Sequence, residues 1–380
     1  MNILVFTGGG LSPALNPTIY GVAQAAKKHG FNIWGGLYGW KSVLPGGKII
    51  NLSKLNLLPL KSRGGTILRS SRTNPLADPN NVNKIKKFIK KNKIDGIVAI
   101  GGDDTLGAAQ KLAELGLPIV GVPKTIDNDL FGTYFTLGYP SAAHYLIDFV
   151  KQIKEDAAYA LSRIFVIEAL GMKAGWLACA SIYGGADVII TPEKPVDLDL
   201  VIKLTKERYK RNGNFAVVVV AQEADFKGKL TTTTDHQIGE QYGRKRNHFI
   251  CLALRDEIKK QLGVDVKALY PGNYLESDKP TAIDNKFAIA LGEKAVNLII
   301  QKQFGLMPNI VYKNNKLITG VIDLKEATAG GKFRTLPEEF FNQKQLLPSK
   351  QFLNYLKPIL GDRPPEDNYA KLVKKITTHA

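Results

Sequence analysis

Short apolar runs that end in a glycine-rich or acidic loop recur along this chain, and they restrict it more than any other feature. Ile3–Thr7, Ile97–Ile100 and Ile119–Val122 are such runs, and the stretches Leu15–His29 and Asp104–Leu115 between them have helical periodicity. A strand that is apolar along its whole length is covered on both faces, and a helix between successive strands makes them parallel. The pattern returns later. Ile164–Glu168, Val188–Thr191 and Ala216–Ala221 read as strands; Leu198–Arg211, His248–Leu262, Thr281–Gln301 and Ser349–Leu360 read as helices. The expectation is an α/β protein with two Rossmann-like domains on parallel sheets. A chain of 380 residues exceeds what one core usually organises. No Gly/Ser-rich linker divides it, so the two domains are expected to share strands or exchange segments. The Thr231–Thr234 run reads as a loop, as does the tail from Gly361 to Asn368.

Several classes of function are disfavoured. No run approaches the 18–20 or so apolar residues of a membrane helix, and the start, MNILVFTGGG, reads as a strand and turn rather than a signal peptide. With only Cys179 and Cys251 there is no disulfide framework, which fits a reducing, cytoplasmic location. Both cysteines sit in apolar contexts and read as buried. The formal charge of +18 raises nucleic-acid binding. Only 11 of the 52 basic residues are Arg, however, and the 41 Lys are dispersed as on a solvated surface. No nucleic-acid partner is expected. His29, His236, His248 and His379 have no ligand spacing and read as surface residues; His144 reads as packed or capping.

In an open parallel sheet, ligands bind beyond the carboxyl ends of the strands. Three loops stand there. GGGLSPALN (Gly8–Asn16) lets backbone approach a phosphate at a helix start, or is simply a tight turn. GGDDT (Gly101–Thr105) sets two carboxylates at a helix N-terminus, as helix caps or to hold Mg²⁺ on phosphate oxygens. PKTIDND (Pro123–Asp129) adds Lys124, Asp127 and Asp129, or is an Asx-rich turn. If the strands are neighbours, one crevice holds acids and a cation suited to phosphoryl transfer. Arg63, Arg69 and Arg72, in RGGTILRSSRTNP, form an anion clamp or a solvated loop.

These segments, with ALGMKAGW and AQEADF, resemble the phosphofructokinases, in particular their diphosphate-dependent branch, from residue 1 to about 330. The resemblance implies phosphoryl transfer from diphosphate to the 1-hydroxyl of fructose 6-phosphate, with Mg²⁺. It implies that Asp127 is the general base, that Asp129 supports it, and that Thr125 and Lys124 lie by the transferred group. Gly9, Gly10, Arg72, Gly102, Asp103 and Asp104 would face the donor, with Asp103 on the metal. Arg163, Gly171, Met172, Glu223 (or Gln222 without a one-residue shift), Lys267 and Tyr274 would face the acceptor. ATP users of the family usually carry Gly at the positions of Asp104 and Lys124. The implied domains are 1–139 with 277–325, for the donor, and 140–276 with 326–380, for the acceptor, the crevice lying between them. Arg163 would reach a neighbouring subunit, implying a homodimer or homotetramer.

The acceptor side departs from the family pattern. Met172 replaces an Arg. The segment GNYLESDKP (Gly272–Pro280) has Ser277 or Glu276 where the family has the Arg for the sugar 6-phosphate. Losing such a pair costs about 2–5 kcal/mol. The acceptor is therefore fructose 6-phosphate bound weakly, another sugar phosphate, or a polyol; a catalytically weak ligand-binding relative is a further reading. Tyr20 stands where regulated members often have an Arg for an allosteric nucleotide.

Overall fold

A computed structural model describes residues 1–230, 233–235, 246–365 and 368–377. They form two compact units. The first comprises Met1–Ser141 and Glu276–Arg334; the described part of the second comprises 142–230, 233–235, 246–275, 335–365 and 368–377.

The chain enters the first unit with β1 (Asn2–Thr7), α1 (Leu15–Lys28), β2 (Asn32–Gly36), β3 (Ile49–Asn51) and α2 (Asn81–Lys91). β4 (Gly96–Gly101), α3 (Asp103–Glu114), β5 (Ile119–Thr125) and β6 (Leu137–Gly138) follow, and α4 (Tyr139–Gln152) leads on. The second unit contains the single turn α5 (Tyr159–Leu161), then β7 (Ile164–Ala169), α6 (Trp176–Ala180), β8 (Val188–Ile190), α7 (Leu198–Arg211) and β9 (Ala216–Ala221). It continues through β10 (Thr233–Asp235), β11 (Arg246–His248), α8 (Ile250–Leu262) and β12 (Val266–Leu269). The chain returns to the first unit for α9 (Ala282–Ile300), the hairpin β13 (Leu306–Lys313) and β14 (Lys316–Asp323), and α10 (Leu324–Thr328). It ends in the second with α11 (Lys350–Leu360) and α12 (Asn368–Thr377).

The first sheet has the order β3-β2-β1-β4-β5-β6, parallel except for β3. The second has the order β12-β7-β9-β8 and is parallel throughout. β4, β7 and β9 are buried at every residue; β4 and β9 are apolar throughout, while β7 carries the buried Glu168, whose carboxylate accepts from the Phe249 and Cys251 amides. Two segments differ from the sequence reading. β5 runs on to Thr125, so Pro123, Lys124 and Thr125 end a strand instead of opening a loop. Thr233 and Thr234 belong to a strand paired with β11, while Thr231 and Thr232 lie outside the described residues. His236 and His379, and the side chain of His248, also lie outside them. His144 is exposed, not packed, and pairs with Asp148 one helical turn on at 3.2 Å. Cys179 and Cys251 are buried. Among the described residues no helix is long and apolar enough to cross a membrane.

α1 and α9 pack closely because glycines face each other's backbone. A methyl group at Gly21 would stand 2.3 Å from the Ile289 carbonyl oxygen, and one at Gly292 would stand 2.5 Å from that of Thr18. The first turn of α9 carries Asp284, which is fully buried. Its carboxylate accepts hydrogen bonds from the Gly138 amide (2.9 Å) and the Ser141 hydroxyl (2.6 Å). Burial pushes this carboxyl up to about 6, against the pull of those two donors. With the folded value above the unfolded one, its contribution to stability is fully present below about 4 and is lost as pH rises through about 6. Asp284→Asn is expected to flatten this slope. In urea titrations, the wild type should gain about 1 kcal/mol relative to the variant between pH 7 and pH 5. Parallel pH profiles would contradict it.

Candidate active site

Because β1, β4 and β5 are adjacent and parallel, the loops at their carboxyl ends converge. Glycines make the convergence possible. Thr105, in the first turn of α3, wedges between two of them: a methyl group at Gly8 or Gly101 would stand 2.4 Å from its side chain. Gly9 has φ +79°, a left-handed conformation that glycine adopts without strain.

Lys124 lies at the centre and is 2% exposed. Its ammonium donates to the carbonyls of Gly8 (3.1 Å) and Gly10 (2.7 Å). Ser70 donates to the Gly9 carbonyl at 2.6 Å, and the Gly9 amide donates to Ser71 at 3.1 Å. Trans peptide geometry then points the Gly10 and Leu11 amides away from the carbonyls that Ser70 and Lys124 hold. Burial lowers the Lys124 pKa to about 8; the nearby charges of Glu276, Asp127 and Asp103 oppose that shift, and Arg72 adds to it. Arg72 is thus the arginine of its loop that acts on Lys124, while Arg63 and Arg69 are exposed.

Gly102 caps α3, so Asp103 and Asp104 are first-turn residues and neither is the N-cap. Both are half-buried at the positive end of the helix dipole. The Asp127–Asp129 turn is fixed from several sides. Thr125 Oγ1 accepts from the Asp127 amide at 3.1 Å, and Asn128 sits at φ +57° with its Oδ1 accepting from the Thr136 amide at 3.0 Å. Arg334 donates to the Asn128 carbonyl through Nε (3.0 Å) and a terminal nitrogen (2.8 Å), and also holds Thr133 and Tyr134 carbonyls. Sequence reasoning missed Arg334; it lies 205 positions from Asp129 and no local motif marks it. Burial, reinforced by the charges of Asp127 and Asp103, pushes the Asp129 carboxyl well above the usual carboxylate range. Its Oδ1 is buried without a hydrogen-bond partner.

The second unit places the remaining candidates at two ends of its sheet. Gly171 and Met172 follow β7, Glu223 follows β9, and Tyr274 follows β12, all at carboxyl ends of neighbouring strands. Gln222 is 2% exposed and its amide bonds the Ala169 carbonyl, whereas Glu223 is half-buried. Met172 has φ +50° directly after Gly171 at +136°, a sharp turn out of the strand. Arg163 precedes β7 and pairs with Asp265 at 3.0 Å; Lys267, near the start of β12, pairs with the same carboxylate at 3.4 Å. The structure therefore separates Arg163 and Lys267 from Met172 and Glu223 by the length of the sheet.

Glu276 belongs to the first unit and rests against the glycine loop: a methyl group at Gly10 would stand 3.4 Å from Glu276 Oε1. The Asp278 carbonyl fills the space beside Gly64.

The family description "Phosphofructokinase" matches residues 2–299. The chain is 36% identical over 342 residues to a pyrophosphate–fructose 6-phosphate 1-phosphotransferase of Dictyoglomus thermophilum, covering 90% of this chain and 96% of that one. It is 32% identical over 332 residues to an ATP-dependent 6-phosphofructokinase of Halothermothrix orenii, covering 86% and 94%. A crystal structure of a pyrophosphate-dependent phosphofructokinase from Marinobacter aquaeolei superposes with a TM-score of 0.83 at 23% identity, covering 97% of this chain and 94% of that one, which establishes the fold.

Proposed function

The chain belongs to the phosphofructokinase family, and from that premise we propose that it transfers a phosphoryl group from diphosphate to the 1-hydroxyl of fructose 6-phosphate. The observation that carries the choice of donor is the buried Lys124 ammonium, bound to the Gly8 and Gly10 carbonyls, together with an acid, Asp104, in the first turn of α3. Overall identity does not choose, since users of both donors stand within a few per cent of each other. Asp104 repels an α-phosphate, while Lys124 places a cation where the compact diphosphate ends. Gly9, Gly10, Gly102 and Arg72 line the same donor site.

The reaction needs one proton removed and one bond exchanged. The Asp127 carboxylate takes the proton of the 1-hydroxyl. The oxygen attacks the nearer phosphorus, the bridging P–O bond breaks, and inorganic phosphate leaves with the bridging oxygen. Asp129 holds the turn that carries Asp127, and Thr125 supports it through the Asp127 amide. Among the described residues no three acidic, His or Cys side chains stand together as a metal cage, so any cation is shared between protein and diphosphate; the unpartnered Asp129 Oδ1 lies in the same acidic turn. Asp103 is the residue that would hold Mg²⁺, which when bound neutralises charge on the phosphate oxygens. On the acceptor side the candidates are Gly171, Met172, Glu223 and Tyr274. The position of Arg163 and Lys267 at the far end of the sheet supports service to a second copy, in a homodimer or homotetramer.

The test is an assay with Mg²⁺ and either diphosphate or ATP, over fructose 6-phosphate, other sugar phosphates and polyols. Use of ATP without diphosphate would refute the donor. The panel also tests a second reading, an altered acceptor, which the missing arginine in Gly272–Pro280 favours. The pH dependence carries a sign: Lys124 is a cation only below about 8. Accordingly, kcat/KM for diphosphate is expected to fall about tenfold per unit of pH above that value. A flat alkaline limb up to pH 10 would remove Lys124 from donor binding.

A further inference from the structure

We infer that Glu276 is a place-holder for the donor: its carboxylate occupies the anion position at Gly10 and Lys124 in the unliganded protein, and diphosphate binds by displacing it. The inference rests on the proposed donor site and goes beyond it.

Two contacts meet on one residue. Glu276 Oε1 lies where it would touch a methyl group on Gly10, at 3.4 Å. Lys124 Nζ binds the carbonyl of the same Gly10 at 2.7 Å. Of the charges that favour the Lys124 cation, Glu276 acts most strongly, ahead of Asp127 and Asp103. A buried ammonium needs a counter-charge, and the backbone beneath Glu276 is anchored to supply one. The Asp278 carbonyl is packed against Gly64, and the Thr281 amide donates to Ser141 Oγ at 3.0 Å. The main chain thus stays in place while the three rotatable bonds of the Glu276 side chain let its carboxylate leave.

A tethered carboxylate competes at high effective concentration. Any anion that binds there must first displace it, so the carboxylate weakens binding of diphosphate and of inorganic phosphate, the product, by the same factor. The loop that lacks the family's arginine then has a use for its acid.

The test is calorimetric binding of Mg²⁺-diphosphate, and of inorganic phosphate, to wild type, Glu276→Gln, Glu276→Ala and Glu114→Gln. Glu114 is exposed at the far end of α3 and controls for the change in net charge. Both Glu276 variants are expected to bind diphosphate about tenfold more tightly than wild type, and inorganic phosphate more tightly by a similar factor; Glu114→Gln should stay within twofold. Equal or weaker binding by Glu276→Gln overturns the inference, as does tightening in the Ala variant alone, which would assign the effect to bulk. Absence of anion binding in every protein overturns it as well. Diphosphate binding without transfer to any acceptor would sink the proposed activity and leave this inference standing.

Discussion

Asp127→Asn should lower kcat by roughly 10²–10⁴-fold while changing diphosphate affinity only a few-fold. Asn keeps the size of the side chain and removes its capacity to take a proton. The turn around it is held by contacts that do not involve its carboxylate: the Thr125 hydroxyl on its amide, the Asn128 side chain on Thr136, and the Arg334 fork on the Asn128 carbonyl. The variant therefore keeps the backbone in place and isolates the chemistry. Steady-state kinetics and calorimetric diphosphate binding on the same preparation give the two numbers. A variant that retains full kcat removes Asp127 as the base; one that loses binding and rate equally makes it a structural residue.

Lys124→Met should reduce kcat/KM for diphosphate at least roughly a hundredfold, corresponding to about 3 kcal/mol or more. Met keeps the length of the stem, which is buried, and removes the charge. Two effects add. The donor loses a cation in a desolvated place, and the Gly8 and Gly10 carbonyls lose the donor that fixes the loop. The paired change Asp104→Gly with Lys124→Gly gives the combination that the family's ATP users carry. Its expected signature is loss of diphosphate use with any residual activity moving to ATP. Wild-type kcat/KM for diphosphate in Lys124→Met would end the assignment of the donor.

β4 and β9 were legible because they are apolar without interruption, and β7 because only Glu168 breaks its apolar run. Ala216–Ala221 and Ile97–Ile100 can be nothing but covered strands, and both are buried throughout. β2 and β3 were not legible: Asn32–Gly36 holds two glycines and Ile49–Asn51 has three residues, too little pattern to read. In the site, Asp103, Lys124, Asp127 and Asp129 were legible because each follows a readable strand, and neighbouring strands bring their ends together. Arg334 was not, since it grips main-chain carbonyls from a distant segment and leaves no local pattern. The environment of Glu276 was hidden for a related reason. Its sequence shows an acid in a loop, but only the packing of that loop on Gly64 turns it toward Gly10.

The first unit is assembled from both sides of a long detour. Its sheet and α1 are complete by residue 141, yet α9, whose backbone meets α1 at Gly21 and Gly292, begins only at residue 282. During synthesis at about 5–20 residues per second, the face of α1 that α9 covers stays open for on the order of ten seconds or more. The glycine loop, β4 and β5 are therefore made well before the helix that secures them. Among the described residues Asp284 is the last buried carboxylate in sequence order, and it ties α9 to the turn at Gly138, so protease resistance of the unit is expected to appear only once that helix docks.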